Sequence, residues 1–557
     1  MKNPNKIELQ IQGMTCDSCA EHVTSALKNV TGVEKVDLPA WQTGLASVTV
    51  SADTETEALI NAVKHAGYDA KPLSPKAGQK QPPKVHTSGM KHSDFDLVVI
   101  GTGGSGMAAA IKGQELGARV AIVEVGTIGG TCVNTGCVPS KTLIRAAGAN
   151  YHANNQPFRG IASKSKVVNF KEIIEQKREL VQELRQHKYI DVLAQLDGVQ
   201  LMRGHAHFYS PQQITVNGET ITTKNAIIAT GASPFIPPLP GLAESGYLTN
   251  VTAFELEELP ESLIVLGGRY IALEIAQMFA RFGTQVTILQ RSSRILPIEE
   301  PDLTDALTDY LRQEGITIVT NVQLQTVSRK GKTVAVETLV GGHARTFSAS
   351  RLLVATGRRP HTNGLGLEEM GVEKDTKGFI KVDDTLQTNI PGVYGAGDVI
   401  GEPMYVYTAA YEGALAAENA LTENKKPRDY TALPWVIFTD PQVAGVGQDE
   451  KQAAEAGINA DVARLSLENI PRSLAARNTR GFIKLIRDKA TDRIIGARIL
   501  APEGGELLME LSLAIKYGIT AKELASSFHP YLTLSEGIKL TAIAFGKDVS
   551  KLSCCAS

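Results

Sequence analysis

Six cysteines fall in three close pairs: Cys16/Cys19 in GMTCDSC, Cys132/Cys137 in GGTCVNTGCVPSK, and Cys554/Cys555 in the closing KLSCCAS. Adjacent Cα atoms across a trans peptide lie about 3.8 Å apart, short of the roughly 4.4 Å at which ordinary disulfides begin. A bridge between Cys554 and Cys555 would therefore be strained. The pair reads as a dithiol offered to a soft cation or another thiol, or as a chance doublet on a frayed end, and the other four cysteines decide between these. For Cys132 and Cys137, five residues of ideal helix would advance about 7.5 Å, beyond what a disulfide spans. If the pair closes a bridge, the helix that follows is distorted there or starts late. A thiol beside a helix N-terminus and Lys141 is a usable nucleophile, whereas a structural zinc would need two further nearby ligands. Cys16 and Cys19 lie on a loop opening a helix, whose N-terminal field favours thiolates that can take a two-coordinate ion. Alone, that C-x-x-C is also compatible with a thioredoxin-like redox motif or half a zinc site. His22 reads as a solvated helix residue.

The elements that position these thiols follow from pattern. A chain of 557 residues is too long for one core, so about three to five domains are expected. Net charge is only −2, with no local run of Lys or Arg, which excludes a large nucleic-acid footprint. The first residues, MKNPNKIELQIQG, lack the apolar core of a secretory signal, and no stretch approaches eighteen apolar residues; a soluble, cytoplasmic protein is expected. Residues 1–72 read as strand, cysteine loop, helix, two strands, helix and strand, a β-α-β-β-α-β module. Residues 73–94, rich in Pro, Lys, Gly and Ser, read as a flexible linker. From there, apolar runs alternate with amphipathic helical stretches, the signature of a doubly wound α/β architecture.

Within that region one unit occurs twice. FDLVVIG opens the turn GTGGSG (Gly101 to Gly106), a helix and the strand ARVAIVE, ending at Glu124. SLIVLG opens GGRYIA (Gly267 to Ala272), a helix and TQVTILQ, ending at Gln290. In the first, Gly101 permits the tight turn, Gly103 lets backbone approach a pyrophosphate, Gly106 lets helix pack on strand, and Glu124 can accept a ribose hydroxyl. In the second, Arg269 replaces the second glycine and Ala272 the third. Gln290 replaces the acid and is followed by Arg291 and Arg294, so a 2′-phosphate is attracted where a carboxylate would repel it, favouring NADPH over NADH.

The ordered set GTGGSG, GGTCVNTGCVPSK, ATG (Ala229 to Gly231), GGRYIALE, ATGRRP (Ala355 to Pro360) and GAGD (Gly395 to Asp398) resembles the pyridine-nucleotide disulfide oxidoreductase family over about residues 94–557. The resemblance implies two Rossmann-like domains: an FAD-binding domain at 95–240 and 356–429, interrupted by an NADPH-binding domain at 241–355. It also implies an α+β dimerisation domain at 430–557. FAD would lie along Gly126, Gly130, Thr131 and Lys141, with its adenine at the Ala206 backbone, Asp398 at its ribityl or phosphate region and Val406 near the ring. NADPH would lie at Gly267, Gly268, Arg291 and Arg294 under Tyr270. Glu274 would pair with Lys141, Cys137 would face the flavin, and Cys132 would handle exchange.

One departure changes the expected substrate. The family's catalytic histidine precedes a Glu in an HPTxxE run, and here the stretch is HPYLTLSE. Aligned on TLSE, with Glu536 in place, Tyr531 takes the histidine position and His529 falls two residues early. Aligned on His-Pro, His529 would be the base. With the first alignment no imidazole assists thiol protonation, and disulfide substrates become disfavoured. Cys16–Cys19 resembles the heavy-metal-associated domain of copper chaperones and mercury transport proteins, a ferredoxin-like module. Together these resemblances imply a homodimer that takes Hg(II) as a thiol complex, with handoff from a mercury transport protein. On that reading Hg(II) would pass through Cys554/Cys555 to the partner's Cys132/Cys137, and NADPH would reduce it to Hg(0) through FAD. The alternative is a disulfide reductase of the glutathione reductase or dihydrolipoamide dehydrogenase type.

Overall fold

The computed structural model describes residues 5–12, 14, 17–38, 44–51, 54–72 and 93–549. Cys16, most of the expected linker, and Cys554 and Cys555 lie outside the described residues. The N-terminal module has strands Asn5–Gln12, Val33–Asp37, Leu45–Val50 and Asp69–Pro72 and helices Asp17–Lys28 and Thr56–His65. Its sheet is antiparallel, with the first strand between the third and fourth. Alternate residues of LASVTV turn inward: Ala46, Val48 and Val50 are buried, as are Val23, Leu27, Leu59 and Val63 of the helices.

The rest of the chain forms two compact units. One contains residues 93–139, 178–235 and 357–428 besides the N-terminal module; the other contains 140–177, 236–356 and 429–549. In the first, Phe95–Ile100 runs parallel to Val120–Glu124 on one side and Glu219–Ile228 on the other. Leu97 and Val99 join the core on one face, Val98 and Ile100 that on the opposite face. Burial on both faces explains the unbroken apolar run LVVI. The helix Gly104–Glu115 lies against Val406–Leu421 so closely that a Cβ on Gly413 would sit 2.0 Å from the Ser105 carbonyl oxygen.

The second unit repeats the theme with a parallel sheet in the order Thr317–Val319, Gln285–Leu289, Ser262–Leu266, Arg351–Val354. A three-stranded antiparallel meander spans 322–349. A five-stranded antiparallel sheet, with Ile494–Ala501 at its centre, carries the helices Leu508–Lys516 and Glu536–Ile543. The architecture is the expected one: two Rossmann-like units, an α+β C-terminal part and a ferredoxin-like module. Among the described residues no helix is long and apolar enough to cross a membrane.

Gly413→Ala tests the helix contact. In an open helix interior the change stabilises by about 0.5–1 kcal/mol, but here the added carbon overpacks, costing about 1–3 kcal/mol. Thermal unfolding should show Tm lowered by about 2–10 °C; an unchanged or raised Tm would refute the close packing.

Candidate functional site

The first glycine turn is shaped by bare backbone. Gly101 has φ +113°, and a Cβ there would lie 2.4 Å from the Ala229 carbonyl oxygen; on Gly106 it would lie 1.9 Å from Gly101 O. Gly103 caps the helix Gly104–Glu115, and Gly130 stands so close that its Cβ would meet Gly103 Cα at 2.6 Å. The N–H groups of the helix's first turn have no partner within the helix, and Ser105 Oγ is buried without a hydrogen-bond partner. An anion with several oxygens fits this cradle, as the pyrophosphate of FAD requires.

Around the cradle, Glu124 Oε2 accepts Thr102 N and Thr102 Oγ1 at 3.0 and 2.5 Å, and Oε1 accepts Gly126 N at 2.7 Å. A carboxylate has about four acceptor positions, so one remains for a ribose hydroxyl. Thr102 Oγ1 also accepts Gly129 N at 3.1 Å, tying the turn to the loop before Thr131. Val406, first in its helix, comes within 3.2 Å of where a Cβ on Gly104 would be. Asp398 pairs with Arg358 at 3.2 Å, and Arg358 Nε is buried without a hydrogen-bond partner. Ala206 is buried at the start of its strand.

Cys132 sits in the short helix Gly130–Asn134, and the long helix begins only at Cys137 and runs to Asn154. The helix thus starts late, one of the two arrangements expected if the pair closes a bridge. Both thiols are half-buried, with Cys137 at the positive end of an eighteen-residue helix. Tyr189, on the π-turn Gln186–Ile190, and Tyr407, stacked on Tyr405, flank the pair. Burial first, then Cys132 and Cys137, pushes the Tyr189 phenol up; burial and then Cys137 does the same to Tyr407. Both phenols stay protonated near neutral pH. Neither was singled out from sequence, and the π-turn that carries Tyr189 leaves no sequence signal.

At the second turn Gly267 has φ +116°, and its Cβ would lie 2.4 Å from Ala355 O, matching Gly101 and Ala229. Arg269, in the second-glycine position, has φ −105° and ψ −170°, extended backbone open to any residue. Its counterpart Gly103 is extended too, at φ −69° and ψ −174°, so the substitution brings no backbone strain. Arg291 is exposed, and the half-buried Arg294 has a buried Nε without a partner. A Cβ on Gly268 would press on Gln290 and Ile295 at 3.2 Å. Tyr270 opens the helix Tyr270–Phe282 and packs partly against the core.

One turn along that helix, the buried Glu274 accepts Lys141 Nζ at 2.6 Å and Phe438 N at 2.9 Å, and Lys141 Nζ lies 4.5 Å from the Phe438 ring centre. Further down, Arg281 pairs with Glu314 at 2.7 Å and Asp440 at 2.9 Å. Burial alone would raise the Asp440 carboxyl; the His152 hydrogen bond and the Arg281 and Arg480 guanidiniums outweigh it and hold it well below the usual carboxylate range.

In the HPYLTLSE stretch, His529 Nε2 is tied to Glu510 at 2.7 Å and Nδ1 faces Ser527 O at 3.3 Å, while Tyr531 is more than half exposed. Glu536 is buried and accepts Leu532 N at 3.2 Å, holding Leu532 at φ +63°. In the N-terminal module Cys19 is buried beside Met14, and His22, on the solvent face, meets Tyr68 edge-on. Among the described residues no cluster of three or more His, Cys, Asp or Glu could hold a metal ion.

A nucleotide-binding turn beside a dithiol, and a second such turn on its own Rossmann unit, define a class of redox enzyme. The chain belongs to the pyridine nucleotide-disulphide oxidoreductase family: that family's model matches residues 95–413, its dimerisation domain 433–542, and a heavy-metal-associated domain 8–69. Among curated relatives it is 43% identical to the mercuric reductase of Staphylococcus aureus over 99% of both chains. It is 45% identical to that of Streptomyces lividans over 84% of this chain and 99% of the other. Among solved structures it resembles the HOCl-induced flavoprotein disulfide reductase RclA from Escherichia coli, with TM-score 0.72, 30% identity, and coverage of 81% of this chain and 99% of that one.

Asp440→Asn removes a charge facing Arg281 and Arg480 and should cost about 1–3 kcal/mol at neutral pH. The folded carboxyl titrates below its unfolded value near 3.9, so its stabilisation is complete above that value and lost as pH falls below it. The Tm gap between wild type and variant should shrink below about pH 4; a gap that widened there would contradict the assignment.

Proposed function

We propose that this chain reduces thiolate-bound Hg(II) to Hg(0) with NADPH, as a mercury-detoxifying flavoenzyme. The supporting observation is 43% identity to a mercuric reductase over 99% of both chains, heavy-metal-associated module included. The balance is Hg(SR)2 + NADPH + H+ → Hg(0) + 2 RSH + NADP+.

FAD, when bound, supplies the chemistry that turns a hydride into an electron pair. It would be held by the Gly101–Gly106 turn, Glu124, Gly126, Gly130, Thr131, Lys141, Ala206, Asp398 and Val406. NADPH would be held by Gly267, Gly268, Arg291 and Arg294, with Tyr270 covering the nicotinamide. Cys132 and Cys137 present two sulfur donors to the metal ion. Tyr531, on a loop fixed by Glu536, lines the entry in place of an imidazole. Metal–sulfur bonds exchange thiolate for thiolate, so Cys554 and Cys555 can receive Hg(II) and pass it inward without releasing a bare ion. Cys16 and Cys19 extend the relay outward, toward a transport protein, in the cytoplasm.

The protein acts as a homodimer through its dimerisation domain, matched over 433–542. Met509, Leu513 and Tyr517, exposed at spacings of four on and just past the helix Leu508–Lys516, form an apolar stripe suited to that contact. Cys554 and Cys555 would reach the partner's Cys132 and Cys137.

The test is NADPH oxidation with Hg(II) in excess thiol, beside oxidised glutathione and lipoamide. Hg(II) should stimulate oxidation and the disulfides should not. Cys554→Ala/Cys555→Ala should lower Hg(II)-dependent turnover about 10–100-fold while NADPH still bleaches the flavin. Stimulation by a disulfide and none by Hg(II) would make the chain a disulfide reductase instead.

A further inference from the structure

The helix Tyr270–Phe282, which begins at the second glycine turn, carries Glu274, Gln277 and Arg281 at spacings of three and four, on one face. All three reach the segment Phe438–Asp440. Glu274 takes the Phe438 N–H, and Arg281 takes the Asp440 carboxylate. Gln277 grips backbone instead: its Oε1 accepts Asp440 N at 2.8 Å and its Nε2 donates to Asp440 O at 2.8 Å. Nε2 also lies 3.1 Å from Glu314 Oε2, and the side chain is buried, the residue 4% exposed.

A buried amide satisfied at both ends accepts one arrangement of the segment opposite it and rejects its neighbours. Two residues before the gripped peptide stands Phe438, whose N–H fixes one oxygen of Glu274 and whose ring lies against Lys141 Nζ. The other Glu274 oxygen holds that same ammonium. Lys141 is four positions after Cys137 on one helix. We infer that Gln277 is a positioning residue: its amide clamps the Asp440 backbone, and thereby sets the Phe438 N–H and ring that orient the Glu274 carboxylate and the Lys141 ammonium.

The inference rests on the proposed place of Lys141 along the flavin, which makes the ammonium's position matter for hydride delivery. An apolar residue of similar volume would fill the same space without selecting a geometry, so packing alone does not call for an amide here.

Gln277→Met removes both prongs at nearly constant volume. In the flavin-loaded full chain, amide hydrogen exchange at Phe438 and Asp440 should quicken at least about tenfold. Flavin reduction by NADPH in stopped flow should slow about tenfold, the scale of one lost hydrogen bond, while half-saturation by NADPH moves less than about twofold. Lys484→Met serves as the control, because Lys484 is a buried partner of Asp302 and Glu450 away from this segment. It should lower Tm and leave exchange at Phe438 and Asp440, and flavin reduction, as in the wild type. Gln277→Leu, which also removes both prongs without adding a charge beside Glu314, should match Gln277→Met, and it carries the test if the methionine variant does not fold. Wild-type exchange and reduction in the Gln277 variants would overturn the clamp, as would equal losses in Lys484→Met. A wild-type protein that NADPH cannot reduce would overturn the functional reading, and the exchange data would still decide the clamp.

Discussion

Two carbonyl oxygens, those of Ala229 and Ala355, lie 2.4 Å from where a side chain on Gly101 and Gly267 would begin. Each belongs to an Ala-Thr-Gly that follows a strand parallel to the one feeding its turn. Any residue but glycine would push strand and turn apart, and helix N-termini could not face the pyrophosphates. Everything else in the two nucleotide units is arranged around that contact. The strands beneath are buried on both faces, and in the first unit the helices above are pressed close by Gly106 and Gly413.

The turn at Gly267 shows which part of the glycine fingerprint is physical necessity. Gly267 must be glycine because its φ is positive and its neighbour is too near. Arg269 need not be, because its backbone is extended. The helix it caps then leads to a chain of buried charges and amides. A buried arginine and glutamate cost desolvation that only well-made hydrogen bonds offset, and Glu314 accepts Arg281 twice and Arg480 once. Such a network fixes geometry more than it adds stability, which is what the Lys141–Glu274 pair requires.

Sulfur chemistry imposes a different demand. Disulfide cleavage needs a proton delivered to the leaving thiol, whereas a metal–thiolate bond exchanges without one. His529 is hydrogen-bonded to Glu510, and the phenols of Tyr189 and Tyr407 stand near the cysteine pair. Tyr189 and Tyr407, kept protonated by burial and by the neighbouring sulfurs, can donate hydrogen bonds without competing for a proton near neutral pH.

The sequence by itself determined what depends on local spacing. The two β-turn-α-β units and the ferredoxin-like module follow from periodicity and glycine placement. Tertiary structure decided what depends on residues far apart in the chain. Glu274 and Lys141 are 133 positions apart and Gln277 and Asp440 163, and no periodicity links them. Tyr189 lies on a π-turn that leaves no composition signal. His529 likewise meets a partner that no spacing in HPYLTLSE signals, Glu510, nineteen residues upstream.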